Sequence, residues 1–355
     1  MTLRAIPHTV RLSRKGKEYG RGPRGEQIAR NMIRLGAIQL DVPFYQAPLS
    51  GYSEGPMRVL ARRYGCPLTF TGVMLDKIAL HPRAIRNVRF RPGKDEHPVG
   101  VQLLGEEPAT MAAAAAAFEK IGYDMVDLNF ACPAPKVLRR MRGGYHLNQP
   151  NVIVETVQRT REAVNCPLSM KIRIGFDDGP DSREKFHRLC EQVAAVGIDL
   201  LTIHGRTVRD RYRGKANWDV IAGVKRAHPQ LRVFGSGDLM TAEIVAERIS
   251  GSGVCGAAIA RGAIGNPWIF AEARELLAGR CKPAEPGLSE IGTVMLEHFE
   301  MVRRERPDSK AIPFFRKFIC GYCRRHPQRK RAQIQILAAK TTQQLADAIR
   351  EWFGT

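Results

Sequence analysis

A chain of 355 residues with 44% apolar content is long enough to bury one large core and leave room for a small appended domain. Its 56 Lys and Arg against 35 Asp and Glu leave a formal net charge of +21, which a small acidic metabolite would not require and a polyanion such as RNA or DNA would. No segment reaches the roughly 18 to 20 consecutive apolar residues of a membrane span, the basic N-terminus lacks the apolar run of a secretory signal, and the cysteines, scattered singly except for Cys320 and Cys323, do not form a secreted disulfide framework.

Reduced thiols and a cytoplasmic location are therefore expected. Residues 1–36 read as a basic arm rich in Gly and Arg, with a short helix expected from Glu26 to Arg34. The pattern then changes to short apolar runs at Pro43 to Leu49, Leu68 to Val73, Val99 to Leu103, Met125 to Asn129, Leu168 to Ile174, Leu200 to His204, Val233 to Ser236 and Ala257 to Ala260. Helical segments separate them, among them Pro108 to Ile121, Val152 to Val164, Arg183 to Val196, Trp218 to Ala227 and Ala242 to Ile249. Eight successive βα units imply parallel strands and suit a closed (β/α)8 TIM barrel over residues 37–281 better than an open sheet.

After Phe270 the alternation stops. A linker with Pro and Gly spans Lys282 to Gly287, and residues 282–355 read as an all-helical C-terminal domain. Its basic stretch, including Arg316, Lys317, Arg324, Arg325 and Arg329 to Arg331, is interleaved with Phe314, Phe315, Phe318 and Tyr322, which reads either as an RNA-binding face or as a solvated helix over an aromatic core. Cys320-Gly321-Tyr322-Cys323 has no second Cys pair, so helix packing is expected there and no metal site.

Functional groups of a barrel stand at the C-terminal ends of its strands. There the chain places Ala47-Pro48-Leu49, Gln102, Asn129 to Pro133, Lys171, Arg173, His204-Gly205-Arg206, Gly235-Ser236-Gly237-Asp238 and Ala260-Arg261-Gly262. The last two are glycine turns in register, suited to bring backbone N–H groups to a phosphate, with Arg261 adding charge. Lys171 is a fixed cation of the kind that stabilises negative charge near N1 and O2 of a reduced flavin, Asn129 and Gln102 suit the ring's polar edge, and His204 suits the ring or the phosphate. Cys132, between a strand end and Pro133, is a weak acid with a reference pKa of about 8.5, suited to give a proton opposite a hydride donor.

Four ordered stretches, Asp127 to Leu147 (DLNFACPAPKVLRRMRGGYHL), Met170 to Gly175 (MKIRIG), Thr202 to Trp218 (TIHGRTVRDRYRGKANW) and Ala260 to Phe270 (ARGAIGNPWIF), resemble the dihydrouridine synthase family of flavoenzymes. The resemblance runs from about Leu35 to Phe353 and implies FMN at the barrel mouth, NADPH as reductant and a C-terminal domain that grips tRNA or another structured RNA. It implies hydride transfer from flavin N5 to C6 of uridine, with Cys132 giving the proton to C5. Ala47, Pro48, Leu49, Gln102, Lys171, His204, Ser236, Gly237, Asp238, Ala260, Arg261 and Gly262 are then expected to contact FMN, and Asn129, Lys136, Arg206, Tyr212, Arg316 and Lys317 to face the substrate. The family's usual Thr-Glu-Met after strand two reads Thr71-Gly72-Val73 here, and its Arg-Lys-His in the C-terminal domain reads Arg316-Lys317-Phe318. A monomer is expected. Two other readings are an FMN barrel oxidoreductase acting on a small pyrimidine, which has no need of the charge excess, and a non-catalytic RNA-binding protein, for which Cys132 would be dispensable.

Overall fold

The computed structural model describes residues 32–85 and 90–355. Most of the basic arm, including Glu26 and the start of the helix expected there, lies outside the described residues. The end of that expectation is overturned: Ile33–Leu35 is a β-strand, paired antiparallel with Ile38–Leu40 around Gly36, whose φ of 54° is the left-handed conformation a tight turn needs. Leu35, Ile38 and Leu40 are buried in one cluster with Leu68, Met125 and Leu200, which stand at or just before the starts of their strands. The hairpin therefore seals the N-terminal end of the barrel.

All eight strands expected from the apolar runs are present: β1 Phe44–Gln46, β2 Thr69–Leu75, β3 Val99–Leu104, β4 Met125–Asn129, β5 Leu168–Arg173, β6 Leu200–His204, β7 Val233–Ser236 and β8 Gly256–Ile259. They are parallel and close into a barrel, with Ala257 and Ile259 of β8 beside Phe44 and Gln46 of β1. The β2–β3 register shifts between Phe70 and Val73. At this irregularity Gly72 donates its N–H to the Ser53 carbonyl at 3.0 Å, so the departure at Thr71-Gly72-Val73 lies against the β1 loop.

Alternate residues point inward, and the interior changes character along the barrel axis. Near the floor it is aromatic, with the Tyr45 ring 5.0 Å from Phe70 and 5.8 Å from Phe234. Full burial of such side chains contributes roughly 1.5 to 3 kcal/mol each. Above them the Tyr45 hydroxyl shares a 2.7 Å hydrogen bond with Thr202, and the wall becomes polar through Gln102, Asp127, Ser169 and Lys171. The polar layer is built by register, which sets Gln102 beside Asp127, Asn129 beside Lys171 and His204 beside Ser236.

The expected helices occur at Pro108–Lys120, Pro150–Ala163, Pro180–Val196, Trp218–Ala227 and Ala242–Gly251. Two begin earlier than their apolar pattern, at Pro150 and Pro180, because a first-turn proline is preset for helix and lacks only an N–H that would be unpaired there. Beyond the barrel lie Leu288–Glu305, Asp308–Tyr322, Arg329–Ala338 and Thr342–Phe353. Phe315, Phe318 and Tyr322 are fully buried around His298, whose Nδ1 hydrogen-bonds the Tyr322 hydroxyl at 2.9 Å. Phe318, where the family has His, is thus a core residue. A Cβ at Gly321 would collide with the Ile264 carbonyl, so the Cys-Gly-Tyr-Cys segment packs onto the loop after β8. Among the described residues no helix is long and apolar enough to cross a membrane.

Candidate active site

Cys132 leaves the end of β4 on a segment whose backbone is held at four points. Asn129 Oδ1 accepts from the N–H groups of Ala131 and Cys132, both at 3.0 Å, and Arg173 Nε donates to the Ala131 carbonyl at 2.8 Å. The Cys132 carbonyl accepts from Gly144 N at 3.1 Å, while its side chain remains partly accessible.

The orientation of Asn129 is decided inside the barrel. Its Nδ2 donates to Gln102 Oε1 at 2.7 Å, Gln102 Nε2 donates to Asp127 Oδ2 at 2.6 Å, and Ser169 Oγ donates to Asp127 Oδ1 at 2.6 Å. An ionised carboxylate only accepts, so Asp127 turns the Gln102 amide nitrogen toward itself and, through Gln102, turns the Asn129 oxygen toward Cys132. Burial pushes the Asp127 carboxyl up to about 6, against the hydrogen bonds of Ser169 and Gln102 and the charge of Lys171. Asp127 and Ser169 are part of the site although the reading of strand ends passed over them. The available signal was the inward phase that Asp127 shares with Asn129.

Lys171 Nζ donates to Ser236 Oγ at 3.2 Å. Burial draws this ammonium down to about 8, with Asp127 opposing the shift and Arg173 adding to it. His204 is held well below its usual value by burial and then by Arg173, Lys171, Arg206 and Arg261, so it is neutral. Arg206 Nη1 faces His204 Nε2 at 3.4 Å, which leaves His204 Nδ1 as the N–H toward Ser236 Oγ at 3.1 Å. The ends of β5 to β8 thus carry four cations around one neutral imidazole.

The two glycine turns stand on neighbouring strands, and a Cβ at Gly262 would collide with the Leu239 carbonyl, so one turn packs directly on the other. Gly237 has φ 123° and Asp238 φ 58°, and Asp238 is held there by Arg206 Nη2 at 2.7 and 2.8 Å and by Ala216 N at 2.8 Å. Burial alone would raise the Asp238 carboxyl; the hydrogen bonds of Arg206 and Ala216 and the charges of Arg206 and Arg261 outweigh it and hold it below its ordinary value. Ala260 and Arg261 lead into the second turn, and the side chain of Arg261 is 3.7 Å from Asp238. On the strand beside the second turn, Ala47 N donates to the Ile259 carbonyl at 2.8 Å, and Leu49 N donates to Ser53 Oγ at 2.9 Å, which holds the Pro48-Leu49 segment next to that turn.

The residues expected to face substrate divide into two groups. Tyr212 is 60% exposed, with Arg261 and Arg173 at 5.0 and 5.7 Å from its ring centre, and Lys136 is exposed on the short helix Pro135–Leu138. Arg206, by contrast, is turned inward onto Asp238 and the carbonyls of Arg213 and Gly214, at 2.9 and 2.6 Å. Arg316 donates to the Ala339 carbonyl at 3.0 Å, and Lys317 donates to the Gly51 carbonyl between the rings of Tyr52 and Phe314. Arg325 pairs with Glu272 at 2.8 Å. Of the basic stretch, Arg329, Lys330 and Arg331 are the residues left exposed. Arg173, noted only as a strand-end residue, also donates to the Thr207 and Arg211 carbonyls, both at 2.8 Å, and so joins the Cys132 segment to the loop after β6.

Comparison with known proteins agrees with this architecture. The chain is 30% identical over 326 residues to the tRNA-dihydrouridine synthase B of Pseudomonas aeruginosa, covering 91% of this chain and 96% of that one. It is 30% identical over 292 residues to a probable tRNA-dihydrouridine synthase of Rickettsia conorii, covering 82% and 87%. Among solved structures, histamine dehydrogenase from Rhizobium sp. 4-9 superposes with a TM-score of 0.55 at 15% identity, over 78% of this chain and 51% of that one, a likeness of fold; this chain spans about half the length of that structure. The family model for dihydrouridine synthase matches residues 45–352, and the chain belongs to that family.

Proposed function

We propose that this protein reduces uridine in tRNA to 5,6-dihydrouridine, with FMN as its bound redox cofactor and NADPH as the reductant. The observation that carries this reading is Cys132, its backbone segment held by Asn129 and Arg173 beside the cationic end of the barrel.

The donor set fits FMN. The stacked turns at Ser236-Gly237-Asp238 and Ala260-Arg261-Gly262 suit its phosphate, and the buried ammonium of Lys171 suits the N1 and O2 edge. Gln102 uses one amide proton on Asp127, which leaves it a second N–H for a polar ring edge, and Asn129, with one amide proton on Gln102, keeps its other for the substrate. Ala47, Pro48 and Leu49 follow β1, the strand next to the second turn, and neutral His204 fixes the Ser236 hydroxyl of the first turn through its Nδ1–H.

FMN bound by these residues would supply, from N5, the hydride that C6 of the uracil takes up. Cys132 gives its proton to C5: the S–H bond breaks as the C5–H bond forms, and the thiolate that remains lies within the field of Arg173. Negative charge developing on the C4 oxygen calls for a fixed N–H donor, and Asn129 Nδ2 meets that need better than Arg206, whose Nε and Nη2 are already engaged. The target uridine has to leave its stack to reach this depth. Tyr212, Lys136 and the exposed Arg329 to Arg331 suit the surrounding RNA, and Arg316 and Lys317 support the helices that carry it.

The charge excess, which a small pyrimidine does not require, favours RNA as substrate. The test is a visible spectrum of the purified protein with the released cofactor identified, followed by incubation with unmodified tRNA and NADPH. Dihydrouridine is expected in the tRNA; a flavin-loaded protein that forms none would overturn the reading.

A further inference from the structure

The loop that follows β6, Phe176 from the loop after β5 and Leu138 of the helix Pro135–Leu138 border an open pocket of about 620 Å³ beside the barrel mouth. Leu138, Val208 and Phe176 provide apolar wall, and Arg209, Arg211, Arg213 and Tyr212 stand around it. The arginines and Tyr212 are exposed, as are Lys215 on the same loop and Arg139 and Arg140 just past Leu138. Acidic relief is slight: Asp177 lies 3.5 Å from Arg209, and Asp210 is turned back onto Thr207 at 2.7 Å.

The loop that presents these charges is built in advance. Arg173 takes the carbonyls of Thr207 and Arg211, and Arg206 takes those of Arg213 and Gly214. Arg211 is held at φ 53°, a conformation uncommon for a side-chain-bearing residue, which turns its carbonyl to Arg173 while its side chain stays in solvent. Two buried guanidiniums therefore fix the backbone from which the exposed Arg211 and Arg213 project. An apolar wall with cations at its edge is complementary to a nucleotide, whose base is flat and weakly polar and whose phosphodiester is anionic. Tyr212 belongs to both places: it lines the pocket, and its ring lies against Arg173 and Arg261 at the mouth.

We infer that this pocket receives the nucleotide adjacent to the target uridine in the same RNA strand, its base against Leu138, Val208 and Phe176 and its phosphate against Arg211 and Arg213. This rests on the reading that the substrate is RNA. One end of the strand is thereby held while the neighbouring base is presented to Cys132.

The experiment compares flavin-loaded wild type, Arg211→Ala/Arg213→Ala, Arg211→Lys/Arg213→Lys and Phe176→Ala, each checked for fold by melting temperature and FMN content. Affinity for unmodified tRNA is measured against salt, and KM for NADPH is measured without RNA. The double alanine variant is expected to bind tRNA at least fivefold more weakly, with the slope of log K against log[salt] reduced by about 1 to 2, and the lysine pair is expected to recover the slope. Phe176→Ala should weaken binding at least fivefold with the slope unchanged, since base stacking carries no counterion release. A raised KM for NADPH with unaltered tRNA binding would assign the pocket to the reductant and overturn the inference, as would variants that alter neither. Wild-type protein forming no dihydrouridine would instead sink the functional reading, which separates the two failures.

Discussion

Asn129 and Cys132 are joined by a 3.0 Å hydrogen bond from the cysteine N–H to the amide oxygen, so the backbone that carries the thiol is held by an amide whose own orientation is decided by Gln102 and, beyond it, Asp127. The chain of polarity can be inverted or restored by changing one atom at a time.

Gln102→Glu sets a second carboxylate against Asp127. One of the two must take up a proton or remain unpaired, which costs roughly 2 kcal/mol near neutral pH. The folded-state carboxyl pKa is raised, so the folded protein binds more protons than the unfolded chain and the loss grows as pH rises. Adding Asp127→Asn supplies an amide N–H to the introduced carboxylate and is expected to recover most of the melting temperature and at least tenfold in single-turnover tRNA reduction. Losses that simply add in the double variant would refute the relay.

Cys132→Ala removes the proton donor and leaves the groups assigned to FMN in place. Flavin content is expected to be unchanged while single-turnover dihydrouridine formation falls by roughly 10² to 10⁴-fold. An unchanged rate would remove Cys132 from the chemistry.

Burial draws the Lys171 ammonium down to about 8. Its cation is present at neutral pH and is lost as pH rises, so FMN affinity of the apoprotein should weaken through that range. Lys171→Met should bind FMN more weakly and without that inflection. Titration of FMN binding between pH 7 and pH 10, above the value of about 6 for Asp127, reads both, and an identical profile in the variant would count against the assignment.

Lys317 and the Arg329 to Arg331 segment separate structural from RNA-facing charge. Lys317→Ala removes a contact to Gly51 and a cation over three rings, which should lower stability by about 1 kcal/mol and leave the salt dependence of tRNA binding alone. Changing Arg329, Lys330 and Arg331 together to Ala should reduce that salt slope by about 2 to 3 with little effect on melting. The opposite pattern in filter binding and thermal melts would reverse the two assignments.

The chain's own pattern determined the barrel. Eight short apolar runs, each followed by a helix and each ending in polar or glycine residues, leave few arrangements that bury the runs and satisfy their backbones, and the same ends exposed Cys132, Lys171, His204 and both turns to inspection. The hairpin Ile33–Leu35 with Ile38–Leu40 was not legible, because three residues carry too little periodicity to distinguish strand from helix and its stability comes from burial against the starts of strands remote in sequence. Nor could the direction of a long side chain be read from its position. Arg206 and Lys317 stand where an arginine or lysine facing substrate would stand, and the tertiary structure turns both onto protein carbonyls instead. Register, settled only when the barrel closed, put Asp127 beside Gln102 and Asn129 beside Lys171. Local sequence determines which residues reach the mouth, whereas hydrogen-bond partners on other strands determine what each one is free to do there.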